Sequence, residues 1–420
     1  MKVGLLGFGT VGRAVARMLV TSGAPPLTLT HICNRNIARK QADADWVPAS
    51  VQWTDSYDEL LAAPVDIIVE LIGGLDPAGR YVRAALAARK SVVTANKQLM
   101  AHDGGDLLRL AAQHCVHLGF EAAVAGGIPV IRAIREGLAG DRLVRISGIL
   151  NGTCNYMLTK MASEPVSFEA VLAEAQARGY AEADPTDDLD GYDARAKLCV
   201  LARIGLHVAL RPGDVPCRSI RPIADVDFVY ARRLGYTIRQ VSRVEHISGR
   251  PTEVEASVEP ALVRIDSALA RVQGSENLVV TSGTYGGETG FSGRGAGGDP
   301  TAVAVLSDLL AAARHSSPPG WFREVADEQP VTVAHERLSA QYLRFVVRDQ
   351  PGIIATLAER LSAHNLNIDA VLQEPGCSKE ALPFVITLEA CRPSDVQAAL
   401  ADVTPLPFQV MPPLSLPILD

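Results

Sequence analysis

The chain has 420 residues, 48% hydrophobic and 21% charged, which fits two or three domains with separate cores. Forty basic against 47 acidic residues give a formal charge of −7, which speaks against an electrostatic nucleic-acid partner. The seven cysteines are scattered and form no CxxC pair, and neither a signal-peptide pattern nor a long apolar run occurs, so the expectation is a cytoplasmic protein with reduced thiols, no zinc and no membrane span.

The first element is an apolar strand that runs into the turn Gly7-Phe8-Gly9-Thr10-Val11-Gly12. A helix follows, with Ala14, Val15, Met18 and Leu19 at helical spacing. This is G-x-G-x-x-G in strand–turn–helix context. Gly7 permits the tight turn, Gly9 lets backbone approach a pyrophosphate, and Gly12 lets the helix pack closely on the strand. The helix N-terminus offers unpaired N–H groups to phosphate. A purely structural glycine turn is the bland alternative.

The next strand, residues 27–36, ends in Asn34 and Arg35, where a site that prefers NAD carries Asp or Glu. Neither residue repels a 2′-phosphate, and Arg35 can pair with one, so NADP is tolerated or preferred. A merely solvated Arg35 is the alternative. Residues 65–74 read as a strand, residues 77–89 as a helix, and 91–94 as a strand whose end points Thr94 and Lys97 toward a nicotinamide. Residues 117–130 add a strand and a glycine-rich turn. Together, residues 1–130 are predicted to form an α/β Rossmann domain.

An α+β substrate-binding and dimerisation domain is expected over 131–315. It starts with the strand 143–150, the turn Asn151–Asn155, a helix from Tyr156, and a helix near 167–178 stopped by Gly179. Then comes the densest polar stretch, from Gly179 to Lys197, in which Asp193 and Lys197 share one helix face at i, i+4. Runs rich in Val and Ile (238–247, 252–258, 261–265, 278–280) predict a mostly antiparallel sheet. The glycine cluster Gly293–Gly298 opens a helix over 301–313 that is expected to return to the Rossmann domain.

Residues 316–338 read as a polar, Pro-containing linker. The βαββαβ order over 339–410 predicts a small ferredoxin-like unit. Residues 411–420 read as an extended Pro-rich tail.

The acidic stretch has bland readings: a solvated loop, or a calcium loop beginning at Thr186. Lys197 at the twelfth position of that loop would repel calcium. The functional reading starts from Lys197, a lysine one turn after Asp193 at the entry to an apolar helix. Carbonyl reduction by hydride leaves an alkoxide, and an ammonium can polarise the carbonyl and supply the proton. Glu182 and Asp188 can hold a substrate α-ammonium group.

The blocks GLLGFGTVG, VVTANKQLMA, EAAVAGGIPVIRAIREGLAGD, ISGILNGTCNYMLTKM, GYAEADPTDDLDGYDARAK and GRGAGGDPTA resemble, in order, those of homoserine dehydrogenases. DQPGIIATLAERL resembles the ACT signature, so the likeness is to the long form with a C-terminal ACT domain, and it spans almost the whole chain.

The resemblance implies interconversion of L-homoserine and L-aspartate 4-semialdehyde with NADP or NAD, on the route to threonine and methionine. It implies Lys197 as proton donor, Glu182 as the substrate-binding carboxylate, and Asp188 and Asp193 in support. Lys97 is implied at the nicotinamide end, near the substrate. Phe8, Thr10, Val11, Arg35, Thr94 and Gly297 match cofactor-contacting positions. Glu121, Val124, Gly126 and Ile128 match a monovalent cation site for an ion such as Na⁺.

Threonine inhibition through the ACT unit is expected, with Asp349–Gly352 as the receiving loop, in a homodimer or homotetramer. Cys154 stands where the family more often has Thr. An Asn near a Cys also resembles aspartate-semialdehyde dehydrogenase, whose other blocks are missing here. A third reading, a ligand sensor that binds NADP without turnover, requires the Glu182–Lys197 constellation to be idle.

Overall fold

Strands buried on both faces need near-continuous apolar runs. The N-terminal strands meet that condition and form one parallel sheet. They are β1 (Lys2–Leu6), β2 (Thr28–Cys33), β3 (Gln52–Thr54), β4 (Ile67–Glu70), β5 (Ser91–Thr94) and β6 (Leu118–Gly119). Their spatial order is β3-β2-β1-β4-β5-β6. Helices α1 (Thr10–Thr21), α2 (Ile37–Ala42), α3 (Tyr57–Ala62), α4 (Ala78–Ala87) and α5 (Lys97–His114) alternate with them. The order reverses between β1 and β4, which opens a crevice at their carboxyl ends. The computed structural model describes residues 1–21, 26–314, 329–334 and 336–419. No described helix is long and apolar enough to cross a membrane.

The second sheet is mostly antiparallel and has ten strands. Its first part holds β7 (Leu143–Ile149), β9 (Tyr236–Ile247), β10 (Arg250–Arg264), β11 (Glu276–Gly283) and β12 (Gly287–Arg294), while β8 (Val208–Ala209) lies outside it. Helices α6 (Val130–Arg132), α7 (Gly152–Ser163), α8 (Phe168–Ala177), α9 (Thr186–Leu189), α10 (Tyr192–Gly205), α11 (Asp225–Arg233) and α12 (Ala268–Arg271) surround it. Two predicted runs, 252–258 and 261–265, are one strand, because the fixed φ of Pro260 suits an extended chain. The helix expected from Tyr156 starts earlier, at Gly152, because the Asn151 side chain caps it by accepting the Cys154 N–H at 2.8 Å.

Helix α13 (Gly298–Arg314) leaves this sheet and packs on the Rossmann layer, where Ala302, Val305 and Leu309 join Val15 and Ala16 of α1 in one core. Of the stretch read as a linker, residues 316–328 and 335 lie outside the described residues. Within it, β13 (Gln329–Pro330) pairs with β8, and β14 (Thr332–Ala334) pairs with β10, so this part is sheet rather than spacer.

The C-terminal unit is β15 (Ser339–Val347), α14 (Ile353–Ala363), β16 (Ile368–Gln373), β17 (Leu382–Cys391), α15 (Pro393–Val403) and β18 (Gln409–Leu419). Its strand order, β18-β15-β17-β16, is ferredoxin-like. The Pro-rich tail is β18 itself, antiparallel to β15 and parallel to β10 through Leu262 and Ile418. Prolines fit because their φ is extended already, while Leu414 and Leu416 between them are buried. The C-terminal unit therefore continues the second sheet. Its Tyr342, Val385, Leu414 and Leu416 share one core with Cys154, Met157 and Leu189.

Candidate active site

The glycine turn is built as its residues require. Gly7 has φ +106°, and a Cβ there would press on the Leu71 carbonyl. A Cβ on Gly12 would lie 2.3 Å from the Gly7 carbonyl oxygen, so only glycine lets α1 start this close to β1. A Cβ on Gly9 would meet nothing within 4 Å, so its backbone faces open space. Gly298, the first residue of α13, comes against the turn beside Thr10, and Gly297 before it has φ +122°.

Phe8 differs from its expected cofactor contact. Its ring is wholly buried and packs against Trp46 and Trp53, so its side chain supports the turn from the core. Its N–H donates to Asn34 Oδ1 at 3.0 Å. Arg35 is exposed at the end of β2, next to that bond. Thr94 is likewise buried: its hydroxyl donates to Glu70 Oε2 at 2.5 Å and accepts from Asn96 N–H at 3.0 Å. Glu70 in turn accepts the N–H groups of Ile72 (2.9 Å) and Gly73 (3.0 Å). Thr94 thus holds the two loops that edge the crevice and does not line it. Glu70 escaped the sequence reading, because a carboxylate inside an apolar strand run carries no motif.

Beyond the crevice lies a cluster of lysines and carboxylates. Lys197 Nζ donates to Asp193 Oδ2 at 2.7 Å and to the Leu150 carbonyl at 2.8 Å. Lys97, the first residue of α5, reaches the other oxygen, Asp193 Oδ1, at 2.8 Å. One carboxylate is therefore shared by two ammonium groups, one from the Rossmann layer and one from α10. Burial favours the neutral acid, but Lys197 and Lys97 outweigh it and hold the Asp193 carboxyl well below the usual carboxylate range. Asp193 in turn raises the Lys97 ammonium above its ordinary value, against the effect of burial.

Asn151 ties the cluster together and escaped the sequence reading as a site residue. Its Nδ2 donates to Asp188 Oδ1 at 2.7 Å and to Asp193 Oδ2 at 3.0 Å, while its Oδ1 caps α7. The signal was the Asn-Gly-Thr turn, which reads equally as a helix start. Asp188 lacks the direct lysine contact of Asp193. Burial therefore raises its carboxyl above the ordinary value, only partly offset by Asn151.

Glu182 is not brought into this network. It lies exposed between α8 and α9, and its backbone carbonyl accepts from Gln176. Cys154 is fully buried, and its thiol donates to the Asp188 carbonyl at 3.1 Å. Burial, then Asp188 and Asp193, hold that thiol well above its usual range, which leaves it protonated and not nucleophilic.

The turn after β6 holds the residues expected at a cation. Ala125 (φ +54°) and Gly126 (φ +49°) are both left-handed, and a Cβ on Gly126 would meet the Gly295 carbonyl at 2.5 Å. The Glu121 carboxylate accepts the N–H groups of Ile131 (2.7 Å) and Arg132 (3.0 Å) at the start of α6. Burial and the neighbouring Asp308 push Glu121 up to about 7. The Ile128 carbonyl accepts from the Val130 N–H, and the Val124 N–H donates to the Glu121 backbone carbonyl. In the C-terminal unit, Asp349 and Gly352 border a cavity of about 250 Å³ at the start of α14, which Gln350, Ile353 and Gln373 also line.

Residues 129–310 match the family model of homoserine dehydrogenase, residues 7–121 that of the homoserine dehydrogenase NAD-binding domain, and residues 341–407 that of the ACT domain. The chain belongs to the homoserine dehydrogenase family. It is 35% identical to the homoserine dehydrogenase of Synechocystis over 97% of this chain and 96% of that protein. It is 40% identical to that of Mycobacterium tuberculosis over 89% of this chain and 86% of that one. Among solved structures, a homoserine dehydrogenase from Thiobacillus denitrificans superposes with a TM-score of 0.89 at 33% identity, covering 100% of this chain and 98% of that one. A hyperthermophilic archaeal homoserine dehydrogenase in complex with NADPH gives a TM-score of 0.64 at 27% identity over 74% of this chain and 97% of that one. As a homoserine dehydrogenase, the chain is an NAD(P)-dependent oxidoreductase with a C-terminal ACT domain, and not a cofactor-binding sensor.

Proposed function

We propose that the protein interconverts L-aspartate 4-semialdehyde and L-homoserine on the route to threonine and methionine, with Lys197 as the proton-transferring group. The observation that carries this reading is the part-buried Lys197 ammonium, fixed between Asp193 Oδ2 and the Leu150 carbonyl. A nicotinamide nucleotide held at the glycine turn would supply the hydride for the aldehyde carbon, or take it up in the reverse direction. Two of the three Lys197 donors are committed, and the third serves the substrate oxygen, polarising the carbonyl and giving up a proton as the alkoxide forms. In the oxidative direction, neutral Lys197 takes the hydroxyl proton back. Asp193 keeps the amine in place, and Lys97 adds positive charge from the opposite wall.

Asp188 and Glu182 are the carboxylates for the substrate ammonium. Asp188 is already oriented by Asn151, and Glu182 is exposed and able to close on a ligand. The open backbone of Gly9, the start of α1, and Gly297 offer the phosphate cradle with Gly7, Thr10, Val11 and Gly12. Exposed Arg35, with no carboxylate at the end of β2, favours NADP over NAD. The left-handed turn at Ala125–Gly126 and its carbonyl oxygens suit a hard monovalent cation such as Na⁺, with Glu121 as the nearby acid and Val124 and Ile128 flanking it.

We take threonine as the effector at the cavity beside Asp349 and Gly352, its carboxylate at the α14 N-terminus and its ammonium at Asp349. The outer edge of β16, with half-exposed Val371, supports a homo-oligomer paired through ACT units. These parts imply domains at 1–130, 131–315 and 339–419.

Nicotinamide absorbance with L-homoserine and NADP tests the reaction: reduction of NADP supports it, and none with either nucleotide overturns it. In the full chain, Asp349→Ala is expected to remove threonine inhibition while leaving the uninhibited rate.

A further inference from the structure

The C-terminal unit reaches toward the candidate substrate carboxylate through a run of buried polar contacts. Arg344 on β15 is buried and pairs with Asp227 of α11, which is wholly buried. Its second arm donates to the Pro222 carbonyl at 3.1 Å. Asp227 also accepts from Tyr342 Oη at 2.8 Å and from the Ala224 N–H at 2.8 Å. Arg218, at the other end of this segment, donates to Ser415 of β18. Residues 218–224 are thus fastened to the C-terminal unit directly at Arg218 and Pro222, and through Asp227 at Ala224.

The same segment is fastened to the turn that carries Asp188. The Ile220 N–H donates to the Leu189 carbonyl at 3.0 Å. Ser219 Oγ contacts the Leu189 carbonyl at 3.2 Å and Asp190 Oδ1 at 2.6 Å. Leu189, Ile220, Ile223 and Tyr342 lie in one core, so neither side moves without the other.

We propose that Arg344 is a positioning residue for the substrate site: through Pro222 and Asp227 it fixes residues 218–224, and that segment sets where the 186–191 turn holds Asp188. The proposal rests on the reading that Asp188 binds the substrate ammonium. A shift of β15 then changes capture of the amino-acid substrate and leaves the glycine crevice, on a separate sheet, untouched. Geometry of this kind is steep, since displacement by about 1 Å can cost two orders of magnitude.

Steady-state kinetics of the full-length enzyme test it. Arg344→Lys keeps a cation on Asp227 but loses the forked reach to Pro222. It is expected to raise the KM for homoserine about fivefold with the KM for NADP unchanged, because only one of two contacts is lost. Arg344→Met is expected to raise it about tenfold or more, but it strands a buried carboxylate and can cost folding. Ser219→Ala carries the same test from the far end without that burden, with a rise of about threefold expected for one lost hydrogen bond.

An unchanged homoserine KM in both Arg344→Lys and Ser219→Ala overturns the proposal, as does an equal rise in both KM values. Asp188→Asn separates the two readings. If it raises the homoserine KM while the other variants do not, only the proposal falls. If it does not, the role of Asp188 falls, and the proposal with it.

Discussion

The glycine crevice and the lysine–carboxylate cluster sit side by side but are made differently. The crevice is backbone: Gly7, Gly9 and Gly12 form it within six residues of chain, and the side chains of Phe8 and Thr94 turn away into the core. The cluster is side chain: Lys97, Asn151, Asp188, Asp193 and Lys197 come from three separated stretches and hold one another by charge. A backbone site tolerates change in most side chains but not an added Cβ. A charge cluster does not tolerate the loss of one partner, which leaves a buried charge uncompensated.

The largest expected effect breaks the cluster. Lys197→Ala should lower kcat by about 10³, within the range for a lost general acid–base, while NADP binding measured by fluorescence titration stays near wild type. Near-normal turnover would remove Lys197 from the chemistry. On the other side of the comparison, Gly12→Ala places a Cβ 2.3 Å from a backbone oxygen. Its expected signature is inverse: a KM for NADP raised about tenfold or more, with the homoserine KM unmoved. If both KM values rise together, the two sites are less separate than their construction suggests.

The pH dependence sharpens the contrast within the cluster. Asp193 is held low by two lysines, so its contribution is present above the unfolded value and is lost only as pH falls through a folded value below the ordinary 3.8. Asp188 is raised, so its ionised form disappears at a higher pH than 3.8 as acid is added. The homoserine KM should therefore climb on the acid side while kcat holds, and Asp188→Asn should abolish that limb. The smallest effect is at the crevice rim. Arg35→Ala should weaken NADP by about threefold to tenfold and leave NAD unchanged, as read from the two cofactor KM values, because an exposed arginine contributes little beyond one charged contact.

What could be read in the sequence was what the chain settles locally. The glycine turn lies within six residues, and the Asp193–Lys197 pair lies one helical turn apart, so spacing alone predicts both. Asn151 could not be read this way, because its partners lie 37 and 42 residues on. Glu182 stands in the same acidic run as Asp188, yet the structure leaves it exposed and outside the hydrogen-bonded network.

The Pro-rich segment 411–419 is extended as its prolines predict, but its pairing was not legible, for a related reason. Prolines argue against a helix, but they do not tell a free tail from a strand, and only the partners β10 and β15 make the difference.

By itself, then, the sequence determined the element order, the cradle at the start of α1, and the residue types that can bind an ammonium and move a proton. Local backbone sterics and helical periodicity carry that information. The tertiary structure decided which carboxylate two lysines share and which is pushed up. It also decided that Phe8 and Thr94 support the crevice and do not line it, and that the C-terminal unit shares a core with the Asp188 turn. Those outcomes depend on burial and on charges brought together from distant parts of the chain, and neither is a property of any short segment.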